Sequence, residues 1–228
     1  MSYQHHFADG TTIDLPLGKV VCVGRNYAEH ARELNNPVPS EPLLFIKPAT
    51  AVVPLSDAPL QLPTDKGPVH FETEIALLIG QPLSGDVSIE QARQAVMGVG
   101  LALDLTLREL QDQLKAKGHP WERAKSFDGA CPLSVFIRPE QAPALTEMPL
   151  RLVVNGEVRQ QGSSAEMITP VLSLLQQIAS VFTLQPGDVV ITGTPAGVGE
   201  LQAGDVLELA IPGALEQSAE IAGKAATD

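Results

Sequence analysis

Residues 70–79 have the sequence HFETEIALLI, in which alternating polar residues are followed by a continuous apolar run. This pattern predicts a β-strand that enters the core of a sheet. Residues i and i+2 of a strand share a face, so Glu72 and Glu74 would lie side by side, about 7 Å apart at Cα. Two carboxylates at the edge of a core repel each other and lose hydration. They therefore require a cation between them, unless this end of the strand is exposed and both are solvated.

A third acid interrupts another apolar segment. Asp104 lies within Gly100–Leu105 (GLALDL), which is predicted to form a strand. A charged residue is out of place there unless it is paired or coordinated, although it could instead precede a helix and interact with the helix dipole. Three carboxylates at the margins of apolar strands suit a hard cation such as Mg²⁺ or Mn²⁺. The spacing of Cys and His residues does not support a zinc site.

The segment after Asp104 would supply positive charge next to the acids. Residues 106–109 (TLRE) have the pattern of a capping box, which predicts a helix that runs towards Lys117. Asp104, Arg108 and Gln111 are spaced i, i+4 and i+7, which places them on one face of that helix. A guanidinium and an amide beside the metal would fit a carboxylate ligand, although ordinary surface residues can have the same spacing.

A histidine and a glutamate occupy a predicted short helix from about Asn26 to Leu34. His30 and Glu33 are i and i+3 on this helix, and a histidine held by a carboxylate is the usual form of a general base that acts on water. A solvent-exposed His–Glu pair would have the same spacing. The following segment, Asn35–Ser40, is rich in Pro and Asn, which predicts a loop that could move as a lid.

Other polar motifs are less specific. Lys125 lies among aromatic residues in Trp121–Phe127 (WERAKSF), which favours partial burial beside an anion over a surface position. Gly193–Gly199 (GTPAGVG) follows a predicted strand and could direct backbone N–H groups at an anion, but it lacks the lysine of a P-loop. We expect three further histidines to lie on the surface or in loops without a role: His5, His6 and His119.

The remaining patterns predict many short strands and few helices. Asn155-Gly156 between two strand-like segments is typical of a type I′ hairpin. Helices are predicted from the capping box Ser88–Gln91 to about Met97, and over about 12 residues after Thr169-Pro170. Further strands are predicted at Val20–Val23, Leu43–Ile46, Asp188–Thr192 and Asp205–Ile211. This mixture favours an α+β fold with a mainly antiparallel or mixed sheet over a regular β/α alternation.

Composition restricts the possible partners and the cellular location. The 228 residues include 44% apolar residues, enough for a substantial core, and carry a formal net charge of −12. A surface this acidic repels nucleic-acid phosphates and anionic lipids. The N-terminus has no signal-peptide pattern, and no apolar stretch approaches the roughly 20 residues that span a bilayer. We expect a cytoplasmic protein in which Cys22 and Cys131 are buried and reduced.

Six stretches, in order along the chain, resemble the fumarylacetoacetate hydrolase family, specifically its small acylpyruvate hydrolase and oxaloacetate decarboxylase branch. They are VCVGRNYAEHARE, PLLFIKP, VHFETEIALLIG, ALDLTLRELQ, PWERAKSFDGACPLS and VITGTPAGVG. Each stretch is weak evidence alone, but six in family order are specific. The resemblance extends from Val20 to about Ile211, nearly the whole chain.

This resemblance implies a fold, a site and an assembly. The fold would be a mixed β-roll with short flanking helices, made of a short N-terminal segment (1–18) and one catalytic domain (19–228). Family members are usually homodimers. The implied metal ligands are Glu72, Glu74 and Asp104, the catalytic residues are His30, Glu33 and Lys125, and the substrate-binding residues are Arg108, Gln111, Lys125 and Thr194.

The function expected from the sequence is hydrolysis of a C–C bond in acylpyruvates such as fumarylpyruvate or acetylpyruvate, through a metal-bound pyruvate enolate. His30, assisted by Glu33, would deprotonate the attacking water, and this intact pair favours hydrolysis. Decarboxylation or tautomerisation of oxaloacetate would use the same metal site without water attack. Two further candidate functions are a decarboxylating dienedioate isomerase of aromatic catabolism and a non-catalytic metal-binding module. The module would leave Lys125 and His30 unexplained.

Overall fold

The computed structural model describes residues 3–33 and 39–223, which contain five α-helices and three short 3₁₀-helices. The α-helices are α1 (Ala28–Glu33), α2 (Ile89–Ala95), α3 (Arg108–Ala116), α4 (Glu122–Lys125) and α5 (Val171–Val181). The 3₁₀-helices are Ala49–Ala51, Pro139–Gln141 and Ser164–Glu166. None of the described helices is long and apolar enough to cross a membrane.

Fourteen strands make up the rest of the regular structure. In chain order they are β1 (Val20–Gly24), β2 (Leu43–Lys47), β3 (Val52–Pro54), β4 (Val69–Phe71), β5 (Thr73–Ile79), β6 (Val96–Leu103), β7 (Thr106–Leu107), β8 (Cys131–Leu133), β9 (Pro149–Val154), β10 (Glu157–Ser163), β11 (Val189–Ile191), β12 (Gly199–Glu200), β13 (Val206–Ile211) and β14 (Leu215–Glu220). They form a seven-stranded sheet (β2-β1-β11-β5-β6-β8-β3), a four-stranded sheet (β10-β9-β13-β14) and a three-stranded sheet (β12-β4-β7). In the largest sheet β1 is parallel to β11 and β3 to β8, and the other pairs are antiparallel. The predicted α+β fold with a mixed β-roll is confirmed.

The central strand β5 explains why the apolar run decides the fold. All seven of its residues are buried, because both faces of the strand are covered. Ile75, Leu77 and Ile79 join the main core with helix α5, while Ala76 and Leu78 face a second apolar cluster. Burying a large apolar side chain of this kind contributes roughly 1.5–3 kcal/mol. The strand is thereby fixed in register, and with it the acids at its beginning.

Glu72 and Asp104 lie where two neighbouring segments of the chain each pass between the large sheet and the small one. The single strand predicted over residues 70–79 is in fact two, since Glu72 separates β4 of the small sheet from β5 of the large one. In the same way, Asp104 lies between β6 and β7, whose partners are β5 and β4. The Asp104 N–H donates to the Glu72 carbonyl oxygen at 2.8 Å. Backbone pairing alone therefore places these two acids side by side.

Several local predictions are confirmed. The Asn155-Gly156 turn joins β9 to β10 with φ values of +52° and +80°, as a type I′ turn requires. The Ser88 hydroxyl accepts the Gln91 N–H at 3.2 Å, which completes the predicted capping box at the start of α2. Cys22 and Cys131 are both buried and unpaired with each other. Burial raises the pKa of both thiols, so neither is a reactive thiolate.

Other local predictions are wrong. Thr106 and Leu107 form β7 instead of capping a helix, because pairing with β4 overrides the local capping pattern. The Thr106 hydroxyl donates to the Asp104 carbonyl oxygen at 3.0 Å. Since α3 begins only at Arg108, Asp104 does not share a helix face with it.

Two further predictions concern the N-terminal part of the chain. His5 was expected in a loop or on the surface, but it is fully buried, with Nε2 3.1 Å from the Gly187 carbonyl oxygen. Within the predicted lid Asn35–Ser40, residues 35–38 lie outside the described residues, as does Leu34 at the end of the predicted helix.

Candidate metal centre and active site

Three acids converge at the junction of the sheets. Glu72, Glu74 and Asp104 are all buried, and one carboxylate oxygen from each lies within 4.8 Å of the others. A buried set of three hard oxygen donors fits a divalent cation such as Mg²⁺ or Mn²⁺, and it leaves coordination positions for other ligands. The three residues that the sequence predicted as metal ligands are thus brought together.

Three cations neutralise two of these acids. Lys125 Nζ lies 2.8 Å from Glu72 Oε2 and 2.7 Å from Asp104 Oδ2, so it bridges the pair. Arg108 forms an ion pair with the other oxygen of Glu72. Lys47 Nζ lies 2.8 Å from Asp104 Oδ1. Each oxygen of Glu72 and Asp104 therefore has a cationic partner, which offsets much of the cost of burying these charges.

The ion pairs reverse the usual effect of burial on the pKa values. Burial alone would raise the pKa of Glu72, but attraction to Lys125 and Arg108 holds that pKa well below its usual range. Burial alone would lower the pKa of Lys125, but attraction to Asp104 and Glu72 raises it. Both groups are therefore charged at neutral pH, Glu72 as a carboxylate that could bind a cation and Lys125 as an ammonium that could bind an anion.

Glu74 differs from the other two acids. Among the described residues no cationic side chain forms an ion pair with Glu74, and its Oε2 accepts the Gly193 N–H at 2.6 Å. Burial, reinforced by repulsion from Asp104 and Glu72, raises its pKa well above the ordinary value. A divalent cation would supply the positive charge that this carboxylate lacks.

Lys47 is the site residue that sequence reasoning missed. It closes the apolar strand LLFIK before Pro48, where a lysine commonly marks an exposed strand end, yet its side chain is fully buried. Besides Asp104, its ammonium contacts the carbonyl oxygens of Ala130, at 3.0 Å, and of Lys125. The available signal was the position itself, since a lysine that directly continues a buried apolar strand needs an internal anion.

The predicted His30–Glu33 pair is present on helix α1. His30 Nδ1 lies 3.3 Å from Glu33 Oε2, and the histidine is buried. The Glu33 carboxylate also accepts the Gly197 N–H, at 3.1 and 3.2 Å from its two oxygens. The Gly193–Gly199 loop thus directs backbone N–H groups at anions, as its sequence suggested, but these anions are the protein's own Glu74 and Glu33.

A small cavity lies beside Glu72, Lys125 and His30. It has a volume of about 30 Å³, close to that of one water molecule, so a substrate can enter only if lining side chains move. Within it, Arg108 Nη1 donates to Gln111 Oε1 at 2.9 Å. The lining residues are Gly24, Arg25, His30, Phe45, Glu72, Arg108, Gln111, Lys115, Trp121 and Lys125.

Thr194 is the predicted substrate-binding residue that does not line this cavity. Its hydroxyl donates to the Thr73 carbonyl oxygen at 2.8 Å and accepts from Gln160 Nε2 at 2.7 Å. The only hydroxyl proton is therefore used within the fold. A contact with substrate would have to involve the remaining lone pair or the Thr194 backbone.

Comparison with known proteins places this site in a family. The family described as fumarylacetoacetate (FAA) hydrolase C-terminal matches residues 19–221. Oxaloacetate tautomerase YcgM of Escherichia coli (strain K12) is 51% identical over 215 residues, which cover 92% of this chain and 96% of that protein. The mitochondrial oxaloacetate decarboxylase of Dictyostelium discoideum is 40% identical over 195 residues, covering 86% and 89%. Both relatives therefore align over most of their length.

Solved structures are similar over the same extent. The crystal structure of fumarylpyruvate hydrolase from Pseudomonas aeruginosa, in complex with Mn²⁺ and pyruvate, superposes with a TM-score of 0.89 at 35% identity. The superposition covers 98% of this chain and 97% of that one. The similar proteins therefore share one fold but carry the names of different reactions.

Proposed function

The chain belongs to the fumarylacetoacetate hydrolase family, and we propose that it is a divalent-metal-dependent oxaloacetate tautomerase. The observation that carries this proposal is the buried triad of Glu72, Glu74 and Asp104 with cations at its edge. Such a site is suited to a small 2-oxo acid. The preference for oxaloacetate rests on the relatives, because the tautomerase of E. coli is 51% identical and the fumarylpyruvate hydrolase 35%.

This proposal reverses the order of the two leading functions. The sequence favoured hydrolysis because His30 and Glu33 could activate water, but the same pair can also move a proton at carbon. Tautomerisation of oxaloacetate removes the proton from the enol oxygen at C2 and adds one at C3, with no water attack. The presence of the pair therefore does not by itself favour a hydrolase.

In the proposed mechanism the triad and four other residues that line the cavity have distinct tasks. Mg²⁺ or Mn²⁺ held by the triad would polarise the 2-oxo group as a Lewis acid. Arg108 and Gln111 would bind the carboxylate at C1, and the Lys125 ammonium would stabilise negative charge on the oxygen at C2. His30, oriented by Glu33, would accept the proton from the enol oxygen and deliver a proton to C3, so that no net proton is gained or lost. Arg108 and Lys125 must leave Glu72 for this, which agrees with the small volume of the cavity.

The proposal is tested with a substrate panel. The enol of oxaloacetate, keto-oxaloacetate, fumarylpyruvate and acetylpyruvate would be assayed for tautomerisation, decarboxylation and hydrolysis, with Mg²⁺, with Mn²⁺ and with EDTA. We expect tautomerisation to have the highest kcat/KM, to be lost in EDTA and to return with metal. Full activity in chelated protein, or a higher kcat/KM for fumarylpyruvate or for decarboxylation, would overturn the proposal.

Acylpyruvate hydrolysis is the second candidate, because the fumarylpyruvate hydrolase of P. aeruginosa has the same fold and the His30–Glu33 pair, 3.3 Å apart, could also activate water. Water attack on a ketone needs a positioned base, which contributes roughly 10²–10⁴-fold. If hydrolysis is the main reaction, His30→Ala should lower its rate by this factor and leave decarboxylation of oxaloacetate measurable. His30→Gln, which keeps some packing, controls for an effect of the substitution on the neighbouring chain.

We extend the proposal to the organisation of the chain. Residues 19–228 would form one catalytic domain after a short segment at 1–18, and the active protein would be a homodimer. Sedimentation velocity of the metal-loaded protein tests the dimer, since a single monomeric species at assay concentrations would contradict it.

A further inference from the structure

Arg25 has an unusual backbone conformation at the edge of the cavity. Its φ is +60°, in the left-handed region that residues with a side chain rarely adopt. Among the described residues only one other non-glycine has a positive φ, and that residue, Asn155, lies in a hairpin turn that requires it. Arg25 lies in no such turn, because it follows strand β1 and precedes helix α1. Strained residues of this kind are concentrated at functional sites.

The neighbouring residue Asn26 holds this conformation in place. The Asn26 side-chain amide donates to the carbonyl oxygens of Thr192, at 2.9 Å, and Thr169, at 3.1 Å. Its side-chain oxygen accepts the Thr169 N–H at 2.8 Å, and its backbone oxygen accepts the Ile168 N–H at 2.8 Å. Four hydrogen bonds thus fix the chain directly after Arg25, while pairing of Gly24 with Leu43 fixes it directly before.

Among the described residues, Arg25 is the one lysine or arginine lining this cavity that forms no ion pair. Arg108 pairs with Glu72, Lys125 with Glu72 and Asp104, and Lys115 with Asp112. No carboxylate of the described residues lies within 4.0 Å of the half-buried Arg25 side chain. Partial burial lowers its pKa from the value in water, but an arginine remains charged. A partly buried guanidinium without an ion pair among the described residues favours an incoming carboxylate, which it can bind through two N–H groups.

The charges at the site indicate how many anionic groups the ligand carries. The triad contributes three negative charges, and Lys47, Arg108 and Lys125 contribute three positive ones. These six charges sum to zero. A bound divalent cation and the Arg25 guanidinium would then give the site a net charge of three positive. A 2-oxo monocarboxylate would neutralise one of them, whereas a dicarboxylate would neutralise two and place its second carboxylate away from the metal.

We propose that Arg25 binds the distal carboxylate of the substrate and makes the site selective for 2-oxo dicarboxylates over 2-oxo monocarboxylates. This inference rests on the proposed function, since it assumes that the first carboxylate and the 2-oxo group face the triad. It goes further by assigning the second carboxylate of a substrate such as oxaloacetate to a particular side chain.

The test uses binding of two unreactive probes, so that it does not depend on turnover. Malate and lactate are both 2-hydroxy acids, and they differ by the distal carboxylate alone. Their dissociation constants would be measured by calorimetry with the Mn²⁺-loaded protein. We expect the wild type to bind malate at least tenfold more tightly than lactate. Arg25→Met should raise the dissociation constant of malate at least tenfold and change that of lactate less than twofold. The dissociation constant of malate for Arg25→Lys should lie between those of the wild type and Arg25→Met.

A matched control separates this role from a general loss of positive charge. Lys115→Met also removes one cation from the cavity wall, but one that is already paired with Asp112, so both dissociation constants should change less than twofold. Arg25→Gly should abolish the preference for malate and keep or raise the melting temperature, because glycine adopts the same φ without strain. If the arginine were merely structural, that variant would melt at a lower temperature.

Two results would overturn the inference: no preference for malate in the wild type, or equal weakening of malate and lactate by Arg25→Met. Failure of the proposed function would look different. In that case the substrate panel would show no oxaloacetate tautomerisation, while Arg25→Met would still weaken malate selectively.

Discussion

Five acids are buried in the described residues, and they are held in two different ways. Asp188 and Asp205 end the turns Pro186-Gly-Asp188 and Ala203-Gly-Asp205 and accept hydrogen bonds from nearby backbone. Asp188 accepts the N–H groups of Lys19 and Gln185 at 2.9 and 2.8 Å, and it also pairs with the partly exposed Lys19 ammonium. Asp205 accepts the Gln202 N–H at 2.7 Å and the side-chain amide of Asn155 at 2.8 Å.

Within the described part of the chain, two of the three triad acids have no backbone donor to their carboxylates and are held by long side chains alone. Glu72 and Asp104 are paired with Lys47, Arg108 and Lys125, which come from three different elements, and Glu74 has only one backbone donor. Backbone donors in a tight turn cannot leave their acceptor without unfolding the turn, whereas a lysine or arginine can change rotamer. The turn acids therefore stabilise the fold, and the triad acids remain available to a metal.

The substitution expected to separate the triad acids most clearly from the turn acids is Glu74→Gln. Without a carboxylate here, Mn²⁺ affinity should fall by more than about 100-fold, since groups outside the ligand shell alone are worth about 10- to 100-fold. The melting temperature of metal-free protein should stay the same or rise, because the neutral amide removes repulsion from Asp104 and Glu72 and can still accept the Gly193 N–H. Electron paramagnetic resonance of free Mn²⁺ and a thermal scan measure the two quantities.

A lower melting temperature together with unchanged Mn²⁺ affinity would place Glu74 with the turn acids. Activity serves as a second measurement, because the variant should be inactive even when folded. Gln160→Ala, which removes the amide that donates to Thr194 and lies outside the triad, tests whether any buried polar substitution in this region has the same effect.

The next largest effect on Mn²⁺ affinity is expected from substitution of Lys47, which is paired with Asp104 of the triad. Its ammonium orients Asp104 and holds the carbonyl oxygens of Lys125 and Ala130. Lys47→Met should lower Mn²⁺ affinity about 10- to 100-fold, because partners of metal ligands contribute that much. Ser126→Ala is the control, since it removes a neighbouring hydrogen bond between Ser126 and the Ile46 carbonyl oxygen, 2.9 Å long, without touching an acid.

Equal losses of affinity in these two variants would mean that Lys47 only fastens two segments together. A loss in Lys47→Met alone, at a temperature where both variants are folded, would assign its effect to Asp104.

The pH dependence of stability and of Mn²⁺ affinity should distinguish Glu74 from the other buried acids. Burial and repulsion from Asp104 and Glu72 raise the pKa of Glu74, so metal-free folded protein retains this proton where the unfolded chain has lost it. Stability of the metal-free protein should therefore decrease as the pH rises from the ordinary carboxyl pKa to the raised one. Mn²⁺ must displace the proton, so its affinity should increase about tenfold per pH unit over the same interval. Glu74→Gln should remove this slope, and a slope that persists in the variant would contradict the assignment.

The sequence predicted much of this arrangement because its signals are local. Glu72 and Glu74 precede an apolar run, and Asp104 interrupts one, so their cost of burial is visible without a structure. The Asn155-Gly156 hairpin and the Ser88 cap are local in the same sense. The resemblance to a family added the substrate-binding roles of Lys125 and Thr194 and the mixed β-roll.

Non-local pairing was harder to predict. The break of the strand at Glu72 and the failure of the Thr106 cap both follow from pairing between β4 and β7, which are far apart in sequence. Lys47 is similar, because its position after an apolar strand signals burial but its partner Asp104 is 57 positions away. The sequence also could not identify the reaction, since hydrolysis and tautomerisation would use the same triad and the same His30–Glu33 pair.

The smallest expected effect on the metal site is that of Asp188→Asn. The substitution replaces one acceptor oxygen by an NH₂ group, which then faces the donors of Gln185 or Lys19. Losing a buried hydrogen bond in this way should lower the free energy of unfolding by about 1–3 kcal/mol. The Mn²⁺ dissociation constant should change less than twofold. Denaturant unfolding and a Mn²⁺ titration of the same sample measure both.

We expect Asp188→Asn to leave Mn²⁺ binding almost unchanged because strand β11 lies between Asp188 and the triad. Asp188 precedes this strand, and Gly193, which donates to Glu74, follows it. The four steps from Val189 to Gly193 span about 13 Å in an extended strand, and residues 189–191 are buried and paired with β1 and β5. A rearranged turn at Asp188 therefore has a rigid strand between it and the triad. If Asp188→Asn weakens Mn²⁺ binding while the free energy of unfolding is unchanged, the turn acids and the site acids are coupled, and the distinction between them fails.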